Sequence, residues 1–224
     1  MPAHRSQAER DIRDAVVERL RALRPKSRII HEINIDCGRS RTDVLCVGEA
    51  EIIAVEIKSE KDKLDRLPDQ LGSMKKSAHR TIVAIHEEFL IEQQTNKYVA
   101  HYMRDGDYFL RYPPPETKGA DEVWVFPEVK RTMTSDEIYR DNLYPWREPS
   151  GSFQITLPED ALHILWREEL YDLCLRLEMN IPKSARMKDM IERLRWERTG
   201  AEVTRGICIA LRSRTCVEAD AVCR

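Results

Sequence analysis

No apolar run in this 224-residue chain approaches the roughly 20 residues needed to cross a bilayer. The opening residues, MPAHRSQAERD, lack the apolar stretch of a secretory signal. A cytoplasmic protein with no membrane partner is therefore expected. The six cysteines (Cys37, Cys46, Cys174, Cys208, Cys216 and Cys223) include no CxxC pair, which excludes a zinc-finger spacing. A chain this long buries roughly 70% of its extended surface on folding, so it needs no disulfide scaffold, and reduced thiols are expected. Internal repeats and low-complexity stretches are absent. So is a strong charge of either sign: 37 Lys and Arg stand against 39 Asp and Glu, for a formal net charge of -2. That balance excludes a strongly basic nucleic-acid coat but leaves room for a local basic groove. With 42% hydrophobic and 34% charged residues the chain is globular rather than disordered.

The hydrophobic pattern predicts a helix over 7–23, in which Ile12, Ala15, Val16, Leu20 and Leu23 recur at helical spacing. Arg24-Pro25-Lys26-Ser27 breaks it. Strands are predicted at 28–34, 41–47 and 51–58, with a turn at Gly48-Glu49-Ala50 and an apolar centre in the third strand. A second helix is expected within 59–78, capped by Asp65, with Pro68 in its first turn and Leu67, Leu71, Met74 and Ala78 facing the core. Residues 81–86 make a fourth strand. This order suggests an antiparallel meander of three strands, a helical crossover, and a mixed sheet with helices on both sides. The fold class is α/β, in the α+β sense. Beyond it, Asp105-Gly106 marks a hairpin and 122–129 a further strand. Helix-start signals predict a helical C-terminal region: Thr156-Leu157-Pro158-Glu159 opening a helix to about 178, Ser184 capping a second, and Thr199-Gly200-Ala201-Glu202 opening a third to about 215. The chain is thus expected to divide into 1–130 and 131–224.

The chemistry concentrates in the meander. Glu56 and Lys58 are two apart, so they share one face of the third strand. Hairpin pairing with the second strand could bring Asp43 beside Glu56. Two carboxylates and an ammonium are costly to bury unpaired, but around a hard cation such as Mg²⁺ or Mn²⁺ they form a reasonable set, with the carbonyl of Ile57 as a further ligand. On the first helix, Glu9 falls on the apolar, sheet-facing side with Ile12, Val16 and Leu20, whereas Asp11 and Glu18 face away.

On these residues the sequence resembles the PD-(D/E)xK nuclease superfamily, which has the restriction-endonuclease-like fold. The resemblance covers about residues 5–90. Asp43 matches the family's aspartate on the second strand, Glu56-Ile57-Lys58 its (Asp/Glu)-x-Lys on the third, Glu9 its first-helix glutamate, and Gln70 a glutamine in the second helix. The stretch VEIKSEKDKLDRLPDQL is similar to small phage and bacterial members. Thr42 stands where the family usually has proline. The resemblance implies a phage or bacterial enzyme hydrolysing DNA phosphodiester bonds. Asp43, Glu56 and Glu9 would hold Mg²⁺ or Mn²⁺, Lys58 would position the attacking water, and Gln70 would orient a phosphate or a water.

Arg39, Arg41, Ser59, Lys61 and Arg66 lie nearest the motif and are the expected phosphate contacts. Acidic neighbours Glu60, Asp62, Asp65 and Asp69 interleave with them, as on an ordinary solvated face. The C-terminal region is expected to serve packing, homodimerisation or DNA contact. The competing readings are a nuclease-fold protein without catalysis that binds DNA or acts structurally, a Holliday-junction resolvase, and an RNA-cleaving enzyme.

Overall fold

The computed structural model describes residues 5–127, 146–148 and 156–223. Helix α1 (Gln7–Leu23) starts at Ser6, whose hydroxyl accepts the Glu9 N–H at 3.1 Å. Strands β1 (Arg28–Ile35), β2 (Ser40–Val47) and β3 (Ile52–Lys58) form the antiparallel meander. Helix α2 (Leu67–Lys75) then crosses over to β4 (Arg80–His86), parallel to β3. Strands β5 (Ile91–Thr95), β6 (Tyr102–Arg104) and β7 (Asp107–Tyr112) make a separate antiparallel sheet ordered β5-β7-β6. Strand β8 (Glu122–Phe126) returns to the main sheet parallel to β4, giving the order β1-β2-β3-β4-β8. The protein is therefore a mixed α/β fold around a mixed sheet. In β3 all seven residues are buried, so its apolar run is broken only by Glu56 and Lys58.

The sheet separates two cores. On one face Ile12, Val16, Val17 and Leu20 of α1 pack against Ile29, Val44, Val55, Ile57 and Trp124. Trp146 closes this side, stacked on Trp124 with centroids 4.9 Å apart. On the other face α2 lies beside the C-terminal helices α3 (Arg167–Arg176), α4 (Met187–Glu197) and α5 (Gly200–Ser213). Their Leu173, Leu194 and Leu211 share one core with Leu45, Leu67 and Val83. The expected 130/131 boundary falls outside the described residues, as do residues 128–129 of the last predicted strand.

Arg28 joins these parts. It is 2% exposed. Its Nη1 donates to the carbonyls of Leu211 (2.7 Å), Arg212 (3.1 Å) and Arg214 (2.7 Å), at the negative end of the α5 dipole. Its Nε donates to the Asp220 carbonyl at 3.1 Å. The segment after α5 also covers the outer edge of β1, where His31 N–H donates to Glu218 O (3.0 Å) and Asp220 N–H to Ile29 O (2.9 Å).

Helix starts differ from the sequence expectation in three places. Asp65 does not cap α2: the Leu67 N–H closes a turn on Leu64 O, and Arg66 stands at the N-cap without a side-chain cap bond. Thr156 opens no long helix. Residues Glu159–Ile164 form a 3-10 turn, the chain re-extends at Leu165 and Trp166, and α3 begins where Glu169 accepts the Trp166 N–H at 2.7 Å. Helix α4 begins at Met187 with Asp189 accepting the Arg186 N–H at 3.3 Å, not at Ser184. The Thr199–Glu202 box holds in both directions. Asp105 and Gly106 both have positive φ, the conformation of a two-residue hairpin turn. Strand β5 has too little apolar signal (IEQQT, mostly exposed) to be read from sequence.

All six cysteines are free. Burial pushes the thiols of Cys46 to about 11 and Cys208 to about 12, and raises that of Cys174. In the native protein a thiol-reactive dye is expected to count three fast groups, Cys37, Cys216 and Cys223, and six after denaturation. Fast labelling of any of the buried three, read by mass spectrometry, would contradict the packing.

Candidate metal centre

The β2–β3 ladder runs from Val47↔Ile52 to Val44↔Val55 and stops there. Beyond that point side chains take over from backbone pairing. Thr42 Oγ1 donates to Val55 O at 3.0 Å, and Asp43 Oδ2 accepts the Ile57 N–H at 2.8 Å. The strands part, and the Asp43 carboxylate is fixed at the opening.

Glu56 and Lys58 project towards α2. Lys58 Nζ donates to Glu56 Oε1 and to Gln70 Oε1, both at 2.9 Å. Gln70 Nε2 donates to the same Glu56 oxygen. Glu56 is 3% exposed, and its other oxygen, Oε2, is buried without a hydrogen-bond partner. Burial pushes the Glu56 carboxyl up to about 8, and the neighbouring Asp43 charge adds to the effect against the pull of Lys58. Asp43 is raised as well, chiefly by burial, with Arg13 opposing. Two interacting carboxylates in a buried place, one with an oxygen lacking any donor, form a set that a hard divalent cation satisfies.

On the α1 side a second acidic group forms. Carboxylate oxygens of Glu9, Glu32 and Asp43 all lie within 4.8 Å of one another, and Glu56 is outside that group. Glu32 sits opposite Asp43, between the His31↔Val44 and Ile33↔Thr42 pairs, with φ 54°. That left-handed residue breaks the alternation of β1. Ile30 and Ile33 both enter the α2-side core, whereas Glu32 turns to α1. Regular alternation hides Glu32 from a sequence reading. Arg13, 3% exposed, lies among the three carboxylates. Its only sequence signal is its place four residues after Glu9.

The expected phosphate contacts separate by environment. Arg39, Lys61 and Arg66 are exposed. Arg41 is exposed but pairs with Glu32 Oε2 at 2.9 Å. Ser59 is buried, and its N–H and hydroxyl both donate to Asp62 Oδ2 (2.8 and 2.7 Å), which closes the loop after β3. Ile57 packs its side chain against the α1-side core.

The raised Glu56 carboxyl has a consequence for stability. Folding holds its proton from the unfolded value near 4.5 up to about 8. Its stabilising contribution is full below pH 4.5 and is lost as pH rises through about 8. Glu56→Gln carries no such charge. In chelator, its melting temperature relative to wild type is expected to climb from pH 5 to pH 8. A difference that stays flat with pH would show that Glu56 ionises normally.

The class that emerges is a mixed α/β protein with a carboxylate–lysine centre at the parting ends of two central strands. Compared with known proteins, the chain is similar over residues 2–101 to the family described as bacteriophage P4 protein cII. That span runs from α1 to just before β6 and includes every residue of the centre. No curated protein and no solved structure matches. Among the described residues no helix is long and apolar enough to cross a membrane.

Proposed function

We propose that the protein is a metal-dependent nuclease hydrolysing DNA phosphodiester bonds, with a restriction-endonuclease-like core. The observation that carries this reading is Glu56, a buried carboxylate with one oxygen tied to Lys58 and Gln70 and the other unpartnered beside Asp43. Asp43 and Glu56 are the side chains that would hold Mg²⁺ or Mn²⁺, with Ile57 O as a backbone ligand. Bound there, the ion would polarise the phosphoryl group and offset charge on the leaving oxygen. Lys58 supplies the fixed positive charge. Held between Glu56 and Gln70, it can orient the attacking water and offset negative charge building on the phosphate. Gln70 fixes the Lys58 ammonium and the Glu56 oxygen together. Arg39, Lys61 and Arg66, exposed around the centre, would contact the phosphate backbone. Likeness to a phage protein fits a phage-encoded enzyme acting in a bacterial host.

The direct test is cleavage of single-stranded, duplex and branched DNA, and of RNA, with Mg²⁺, with Mn²⁺ and with chelator. Cleavage of at least one DNA substrate that needs the metal is expected. Preference for four-way junctions would mark a resolvase, and cleavage restricted to RNA would replace DNA as the substrate. Inertness towards all of them in both metals would leave a fold without the activity.

A further inference from the structure

We infer that Arg13 stands where a second divalent cation would, so that the centre takes one ion per chain. This rests on the nuclease reading and sharpens it: two further carboxylates, Glu9 and Glu32, do not make a second metal site with Asp43 here.

The group Glu9, Glu32 and Asp43 brings three carboxylates within the reach of a single ion. The space among them is already served by a cation. Arg13 Nη2 is 2.7 Å from Glu9 Oε1, 3.0 Å from Glu32 Oε1 and 3.3 Å from Asp43 Oδ1, and Nη1 donates to the Asp43 carbonyl at 2.6 Å. A guanidinium does not lose its proton at any ordinary pH, so this charge cannot withdraw to admit a metal. Two further arginines reach the same carboxylates. Arg5 reaches Glu32 Oε1 at 3.3 Å and Glu9 Oε1 at 3.7 Å, and Arg41 reaches Glu32 Oε2 at 2.9 Å. Arg5 is held at the same time by Glu218 at 2.6 and 2.8 Å, so each of the three carboxylates of the group already faces at least one arginine. The buried Glu56 Oε2, which has no hydrogen-bond partner, is the contrast, because an oxygen without a donor is where a cation adds an interaction rather than displacing one. Arg13 is then a positioning residue. It holds Asp43 by side chain and backbone, and it places a permanent positive charge beside the site that the ion occupies.

Mn²⁺ titration of the full chain, followed by calorimetry and by electron paramagnetic resonance of the free ion, tests this without any cleavage measurement. Wild type is expected to bind one Mn²⁺, and Arg13→Lys, which keeps the charge, also one. Arg13→Gln is expected to bind two. Glu32→Gln, which removes one carboxylate from the arginine-filled group and keeps both Asp43 and Glu56, is expected still to bind one Mn²⁺, at a lower affinity because the charges of Arg5, Arg13 and Arg41 are then less well offset. Two ions in wild type, or no Mn²⁺ bound by Glu32→Gln, would overturn the inference and leave the nuclease reading standing. Binding of no ion by wild type would overturn both. If Arg13→Gln fails to fold, the wild-type count and Glu32→Gln decide.

Discussion

Lys58→Met and Asp43→Asn are each expected to lower metal-dependent DNA cleavage by about 10³-fold or more while the fold persists. Methionine keeps most of the lysine stem volume in a position that is 8% exposed, and it removes the ammonium that touches Glu56 and Gln70. Asparagine keeps an oxygen to accept the Ile57 N–H and removes the charge that a cation needs. The two losses differ in kind. On the proposed mechanism Asp43→Asn would weaken metal binding, and raising Mg²⁺ would recover part of its rate. Lys58→Met would act on the water and the phosphate, and added metal would recover nothing. Initial rates on the best DNA substrate over a Mg²⁺ series, with circular dichroism and melting as folding controls, check both. Rates within tenfold of wild type in either variant would remove that residue from the mechanism.

Arg28→Ala is expected to destabilise the protein by about 3–5 kcal/mol in urea unfolding. The guanidinium is almost fully buried and donates to four carbonyls, three at the end of α5 and one from Asp220. Truncation strands those oxygens in a place water reaches poorly and removes the positive charge from the α5 C-terminus. The effect acts on both cores, because Arg28 begins β1 while α5 packs on the opposite side of the sheet from α1. A loss under about 1 kcal/mol would mean that the segment after α5 rearranges to solvate them.

The sheet and its crossover were legible because both signals are local. The period of α1 and the buried run of β3 follow from where apolar residues fall, and the turn chemistry at Asp105-Gly106 follows from two residues. Helix starts in the C-terminal region were less legible. Thr156 and Ser184 carry the composition of a cap, yet the caps in use are the side chains of Glu169 and Asp189, and the stretch after Thr156 instead buries Leu162, Ile164 and Leu165 in the core. In the candidate centre, Glu56, Lys58 and Gln70 were legible as a strand-and-helix spacing, and they do meet. Glu32 was not. Its side chain reaches the centre only because one residue of β1 takes a left-handed conformation, and no composition rule marks a glutamate for that. Arg13 was hidden for a different reason, since an arginine on a helix next to acids reads as an ordinary surface pair until its burial is seen.

The way the last described segment is stitched to the first strand also bears on how the chain acquires its structure. Arg28 and Leu211 are 183 residues apart, and Arg5 and Glu218 are 213 apart. Pairings of that separation form late, because nearly the whole chain must be gathered before they contribute. The meander and α1 can assemble early from neighbouring residues, but the α2 side of the sheet stays uncovered until α3, α4 and α5 arrive. Until then an apolar face and the open edge of β1 are both available to other chains, which makes the interval before docking the period of greatest risk of aggregation.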